Sequence, residues 1–234
     1  MPDLFTKGSL EMSTTPVPHE AASVVWSDCL VNRIAVIVVL VLFLMTMPDI
    51  IRLFSQLLRC VSRWKGNLDL EHSVSLSRTR NTVALVTALV LCVMADRWIL
   101  TEPSFKTSLP AGWQLAYTAA LITGYVVLRR LFYMASRFRS PVSEYATCLR
   151  NSMYNYQILL SLLMLATALP LAAFHVPDAA VRIVLLIEIA LFTALHLLRS
   201  AQIFSSLYSL FATILYLCAL EILPLGILVF ACTL

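Results

Sequence analysis

The sequence predicts an all-α, polytopic transmembrane helix bundle of about six spanning helices, with cytoplasmic interfacial amphipathic helices beside them. Three observations carry this. Of 234 residues, 60% are hydrophobic and only 13% charged, where a soluble domain has about 25% charged residues. Mean hydropathy is +0.85. The apolar residues fall in separate runs, each near the roughly 17 to 25 residues that cross a bilayer as a helix. A helix is required because lipid offers backbone groups no partner.

Residues 1–30 are polar and carry Pro2, Pro16 and Pro18, the composition of a flexible arm. Residues 31–234 read as a single transmembrane domain. Span one covers residues 31–47 and is closed by Pro48. Spans two to six cover residues 82–100, 113–134, 157–174, 181–198 and 207–230. The alternative count is five, if the short first run packs as an interfacial or buried segment. That run starts late and no small-residue cleavage site follows it, so it reads as a retained span and not a signal peptide.

Lys and Arg placement sets the orientation. Twelve of the 17 basic residues fall after spans one, three and five, Arg129 and Arg130 among them. The other five are Lys7, Arg33, Arg97, Lys106 and Arg182. Six spans then leave both termini on the periplasmic side of a bacterial inner membrane. Within the first cytoplasmic connection, Ile50, Phe54, Leu57, Leu58 and Val61 share a helical face, with Arg52, Arg59 and Arg63 opposite. That pattern suits a helix lying among anionic headgroups, or one docking a cytoplasmic partner. Residues 131–155 repeat it, broken at Pro141.

The chemistry-bearing candidates are the ionisable residues inside spans. Glu221 sits mid-span in the last segment, where a charge costs about 2.5 to 3.5 kcal/mol on insertion scales. Glu188 lies in span five. Counted inward from the outer ends at about 1.5 Å per residue, the two carboxylates reach similar depths, which would let them share a proton or a cation. Tyr216 on the same helix is a further candidate, and Arg182, His196 and Arg199 are candidate partners. Pro224 cannot donate to the carbonyl of Leu220, so a kink is expected beside Glu221. The competing reading is that Glu221 hydrogen-bonds across helices and only fixes their packing. His196 and Arg199 share a face at i, i+3 near the cytoplasmic end, which suits an interface role better than haem ligation. Asp96 and Arg97, with Trp98, mark the outer boundary of span two. Tyr145, Tyr154 and Tyr156 form an aromatic belt, and Asn151 and Asn155 are placed to bridge helices.

Several functions find no motif. There is no GxGxxG, P-loop, HExxH or GxSxG, and no CxxC pair or Cys/His cluster at metal spacing among the 6 Cys. No cofactor, metal or nucleic-acid partner is therefore expected; the basic residues follow membrane topology instead. With 5 Gly in the chain, GxxxG packing and glycine-hinged transport helices have little support.

The stretch Leu215-Tyr216-Leu217-Cys218-Ala219-Leu220-Glu221-Ile222-Leu223-Pro224 resembles the terminal motif of a family of bacterial multi-pass inner-membrane proteins defined only as a domain of unknown function. Glu144, Asn155, Pro170 and Arg199 support the resemblance more weakly. It covers the chain from span one onward. Members often carry a basic residue or tail after the motif, where this chain stops at Leu234. The resemblance implies a membrane fold and an emphasis on Glu221, and assigns no reaction. Genes of the family can neighbour one for a tetrapyrrole-pathway enzyme, which is association and not mechanism.

The expected function is that of a non-enzymatic integral membrane protein, an accessory or scaffold subunit of a bacterial inner-membrane assembly. Its partners would be the lipid bilayer and a membrane protein or a second copy. The alternatives are a small ion-coupled transporter using Glu188 and Glu221, and a membrane enzyme acting on a lipid or porphyrin substrate.

Overall fold

The computed structural model describes residues 26, 29–63, 65–98, 109–135 and 143–233. All its regular elements are helical: α1 (Leu30–Ser62), α2 (Lys65–His72), α3 (Val74–Arg97), α4 (Ala111–Ala135), α5 (Ser143–Ala173), α6 (Asp178–Ser205), α7 (Leu210–Leu217), a π-helical turn (Cys218–Ile222) and α8 (Leu223–Thr233). The last three run on as one terminal helix. Among the described residues, six helices are long and apolar enough to cross a membrane: α1, α3, α4, α5, α6 and the terminal helix. Each contains one of the six spans read from the sequence or nearly all of it.

Helix α1 departs from expectation. It runs 33 residues straight through Pro48, about 50 Å at 1.5 Å per residue. Proline removes only its own backbone donor, and the flanking turns keep theirs. Residues 50–62 are therefore a continuation of the first span and not a separate interfacial helix. Their buried stripe is Ile50, Leu53, Leu57 and Cys60, spaced three and four apart, packed against Val83 and Ala84 of α3 and Ile158 and Leu159 of α5. The apolar face meets protein; Phe54 and Leu58 stay outside, beside exposed Arg52, Arg59 and Arg63. Pro141, the predicted break in the second amphipathic stretch, lies outside the described residues, as do the side chains of Glu144 and Tyr145. Most of the N-terminal arm lies outside them too.

A short helix that periodicity does not reveal, α2, folds back under α1. Gly66 makes this possible: a Cβ there would stand 2.8 Å from the backbone carbon and oxygen of Arg59. Its N–H donates to the Arg63 carbonyl at 3.0 Å. Helix α3 then starts at Ser73, whose hydroxyl accepts from the Leu76 N–H.

Helix α5 is the axis of the bundle, packing most extensively on α6 and α3, while α3 also carries α1 and α4. It ends in a Schellman motif. The N–H of Val176 reaches the Leu171 carbonyl at 3.0 Å, that of His175 reaches Ala172 at 3.1 Å, and His175 takes a left-handed φ of 54°. Pro177 follows, as expected where a helix cannot continue, and α6 begins at Asp178. The terminal helix closes the bundle against α4 and α6.

Candidate functional site

Glu221 sits within the π turn. There the Leu223 N–H bonds the Cys218 carbonyl, five residues back, in place of the usual four. Pro224, next along, has no N–H to offer. A π turn absorbs one extra residue, and here it sends both Leu220 and Glu221 inward, 1% and 2% exposed. The π turn stands where the missing donor of Pro224 would otherwise leave a gap in the helix.

The partner that meets Glu221 is Arg129 of α4. Its Nε–H donates to Oε2 at 2.9 Å and its Nη2 to Oε1 at 2.6 Å, a two-pronged fork. Tyr133, one turn on along α4, donates its hydroxyl to Oε1 at 2.5 Å, and its ring lies under the guanidinium at 4.8 Å. His196 of α6 brings Nε2 to within 3.2 Å of Oε2. Two donors thus reach each oxygen. A carboxylate offers about four lone-pair sites, so its capacity is filled. The other prongs of Arg129 reach the carbonyls of Arg150, at 2.9 Å, and Leu149, at 3.3 Å, on α5. Four helices meet on one ion pair, and all four side chains are buried.

A second polar layer adjoins the first. The His196 ring packs on Tyr156 at 5.2 Å between centroids. Tyr156 donates to the Cys60 carbonyl at 3.3 Å and accepts from Asn67, and Asn155 donates to Asn67 at 2.8 Å. So Asn155 bridges α5 to α2, and Tyr156 is a buried network member instead of a belt residue. Beyond it, Arg80 of α3 pairs with Glu71 of α2, and Asn151 donates to Glu71 at 3.4 Å. At the opposite end, Asp96 is 2% exposed and accepts from the Trp26 indole at 2.7 Å and the Thr118 hydroxyl at 2.9 Å. Arg97 pairs instead with Asp178 at 3.8 Å.

The remaining candidates are placed as follows. Glu188 is buried but does not join Glu221. It precedes His196, the residue level with Glu221, by eight positions, about 12 Å along α6. Equal depth requires flush outer ends, and the ends are not flush: Glu221 lies 233 − 221 = 12 residues from the end of α8 at Thr233, whereas His196 beside it lies 196 − 178 = 18 residues from the start of α6 at Asp178, so α6 reaches about 9 Å farther out. Arg182 lies a further six positions away on α6. Arg199 turns to α1, donating to the carbonyls of Val61 at 2.6 Å and Ser62 at 3.2 Å. Tyr216 stacks on Phe204 at 6.0 Å and tilts against Tyr208 at 5.3 Å, making it a packing residue one turn from Glu221. Arg129 and Tyr133 are the residues that sequence reasoning missed. Arg129 was counted with the cytoplasmic charges; its signal was its place six residues inside the end of α4, opposite an acid in need of a cation. Among the described residues, no group of three or more His, Cys, Asp or Glu is placed to hold a metal ion.

Residues 31–231 match the family model described as Domain of unknown function (DUF4271). No curated protein matches the chain, and no solved structure does.

Proposed function

The chain belongs to the DUF4271 family, and we propose that it is a non-enzymatic multi-pass protein of a bacterial inner membrane, serving as an accessory or scaffold subunit of a larger assembly. The observation that carries this reading is the filled carboxylate of Glu221. An ion-coupled carrier needs a carboxylate that can exchange a proton or cation with water. Here four donors from three side chains occupy it, and the bonds run between helices. Such a pair fixes the relative placement of α4, α5, α6 and the terminal helix. A fixed bundle with an exposed basic edge at Arg52, Arg59 and Arg63 suits a subunit that holds others in place.

The charge distribution supports the same orientation. Arg80 and Arg129 are tied up in buried pairs and drop out of the tally, leaving ten basic residues on the cytoplasmic side against five. Both termini then face the periplasm. Affinity purification from native membranes in mild detergent, with mass spectrometry, tests the proposal. A membrane-protein partner should be recovered in stoichiometric amount and be lost on Arg59→Glu with Arg63→Glu, at unchanged expression. Recovery of the chain with no partner, across several mild detergents, would refute it. A reporter fused after Leu234 should be active in the periplasm.

A further inference from the structure

Between α3, α4 and α5 lies a cavity of about 480 Å³. Its two ends differ in chemistry. At one stand Arg130 and Arg150, both exposed, beside the buried Arg129. The helices are level there, since Arg129 of α4 donates to the Arg150 carbonyl of α5 at 2.9 Å. From that end the cavity runs on as a trough walled by Leu85, Leu89, Ile122 and Val126, as far as Cys92 and Ala119. Leu85 and Leu89 are exposed, so the trough lies open sideways.

The charge at the basic end is not balanced within the protein. Arg129 is spent on Glu221. The side chains of Arg130 and Arg150 make no hydrogen bond or ion pair among the described residues, and no carboxylate among those residues lines the cavity. Glu71 meets its edge through Asn151 at 3.4 Å, but is paired with Arg80. The other amides in the lining are engaged as well. Asn81 accepts from Arg80 at 3.0 Å, and Gln157 donates to the Ala84 carbonyl at 3.2 Å. Two hydroxyls complete the polar lining, those of Thr123 and Tyr154.

Cys92 lies eleven residues along α3 from Asn81, and Ala119 eleven along α4 from Arg130, each about 16 Å. One leaflet contributes half of the roughly 30 Å hydrocarbon core. The trough is therefore one acyl chain deep, with its cations at headgroup level. Tyr154 lies one turn in from Arg150 and Thr123 two turns in from Arg130, where the ester groups of a lipid would pass. A soluble anion would leave the apolar trough uncovered. A zwitterionic lipid brings its own cation and leaves the two guanidiniums uncompensated. We infer that this trough is a binding site for one acidic phospholipid, its phosphate held by Arg130 and Arg150 and one acyl chain seated between α3 and α4. Basic pockets between membrane helices suit acidic headgroups, and the guanidinium fork matches a phosphate. The inference rests on the membrane-spanning reading of the chain and stands or falls separately from the scaffold reading.

The test is native mass spectrometry of the full chain in mild detergent. It is titrated with phosphatidylglycerol and, separately, with phosphatidylcholine of the same acyl chains. The acidic lipid should form a saturable one-to-one adduct about 30-fold tighter than the zwitterionic one, the worth of two basic residues at an acidic surface. Arg130→Gln with Arg150→Gln should bring the two lipids to within about twofold of each other. Arg52→Gln with Arg59→Gln, which removes the same charge outside the lining, should leave the preference intact. Ala88→Phe, which fills the trough from its α3 wall, should abolish the adduct while the protein still elutes as a folded species. Ala119→Phe serves if that variant does not fold. Excess inorganic phosphate should not displace the lipid. Equal retention of the two lipids would overturn the assignment, as annular lipid only. So would a preference that survives loss of Arg130 and Arg150, one that falls equally with Arg52 and Arg59, an adduct that persists in the filled variant, or displacement by inorganic phosphate.

Discussion

Removing Glu221 should damage this protein more than removing Arg129. In Glu221→Ala, four hydrogen bonds lose their acceptor at once, and Arg129, 3% exposed, keeps its charge. Its only remaining acceptors of note are the carbonyls of Leu149 and Arg150. Breaking a buried pair this way costs about 3 to 5 kcal/mol. Arg129→Met is milder. Glu221 keeps the Tyr133 and His196 donors, and a carboxyl deprived of its cation can take a proton, whereas a guanidinium cannot lose one. The expected cost is about 1 to 3 kcal/mol, that of buried polar groups left short of partners. Arg129→Met with Glu221→Leu should cost less than the sum of Arg129→Met and Glu221→Leu made singly, because an apolar pair of similar size is often nearly neutral. The assay is loss of helical circular dichroism on titrating dodecyl sulfate into mild-detergent micelles, read as a double-mutant cycle. A Glu221→Ala protein within about 1 kcal/mol of the parent, or an Arg129→Met protein that is the less stable of the two, would refute the reasoning.

The close approach at Gly66 gives a sharp contrast: Gly66→Ala should destabilise by about 1 to 3 kcal/mol, the usual cost of overpacking. Gly124→Ala, where nothing lies within 4 Å of a new Cβ, should be neutral in the same titration. Asp96→Ala strands the Trp26 indole donor, while the Thr118 hydroxyl falls back on the Gln114 carbonyl at 3.1 Å, and the change should cost about 1 to 3 kcal/mol. It should also shift tryptophan emission to the red, and that shift should vanish in a Trp26→Phe background. Cys60 and Cys148 are buried, so a membrane-permeant maleimide should label both only after denaturation.

The fold was legible because the bilayer imposes length and apolarity on each helix, and both are written in the sequence. The extent of α1 was not. Proline's local cost is visible, but the continuation beyond Pro48 is decided by the stripe from Ile50 to Cys60 finding α3 and α5, which periodicity alone cannot distinguish from a lipid-facing stripe. Glu221 stood out because an acid in an apolar run needs compensation. Its partner did not, since Arg129 lies near enough to a helix end to pass for a boundary charge. Its neighbour Arg130 is exposed, and the sequence gives no reason to separate the two. The same ambiguity hid Arg80 and Glu71. Tally rules treat each cation as belonging to a membrane face, whereas these two belong to carboxylates on other helices.

Pro224 and Glu221 act as one device. A regular helix would bond the Leu220 carbonyl to residue 224, and proline forbids it. The π turn accommodates that loss by bonding Leu223 to Cys218. Removing the extra residue would rotate Glu221 relative to α8 by about 100°, away from the fork of Arg129. The regular helix and the ion pair therefore compete for the same backbone. Pro224→Ala supplies the missing donor, yet in the intact protein the Arg129 fork should hold the turn, so the change should be nearly neutral. In an Arg129→Met background only the Tyr133 and His196 bonds still hold it, and Pro224→Ala should then stabilise the protein as the helix regularises. The two changes should be non-additive by at least about 0.5 kcal/mol, the threshold for coupled sites. Strict additivity in the dodecyl sulfate titration would show that the π turn is set by the proline alone.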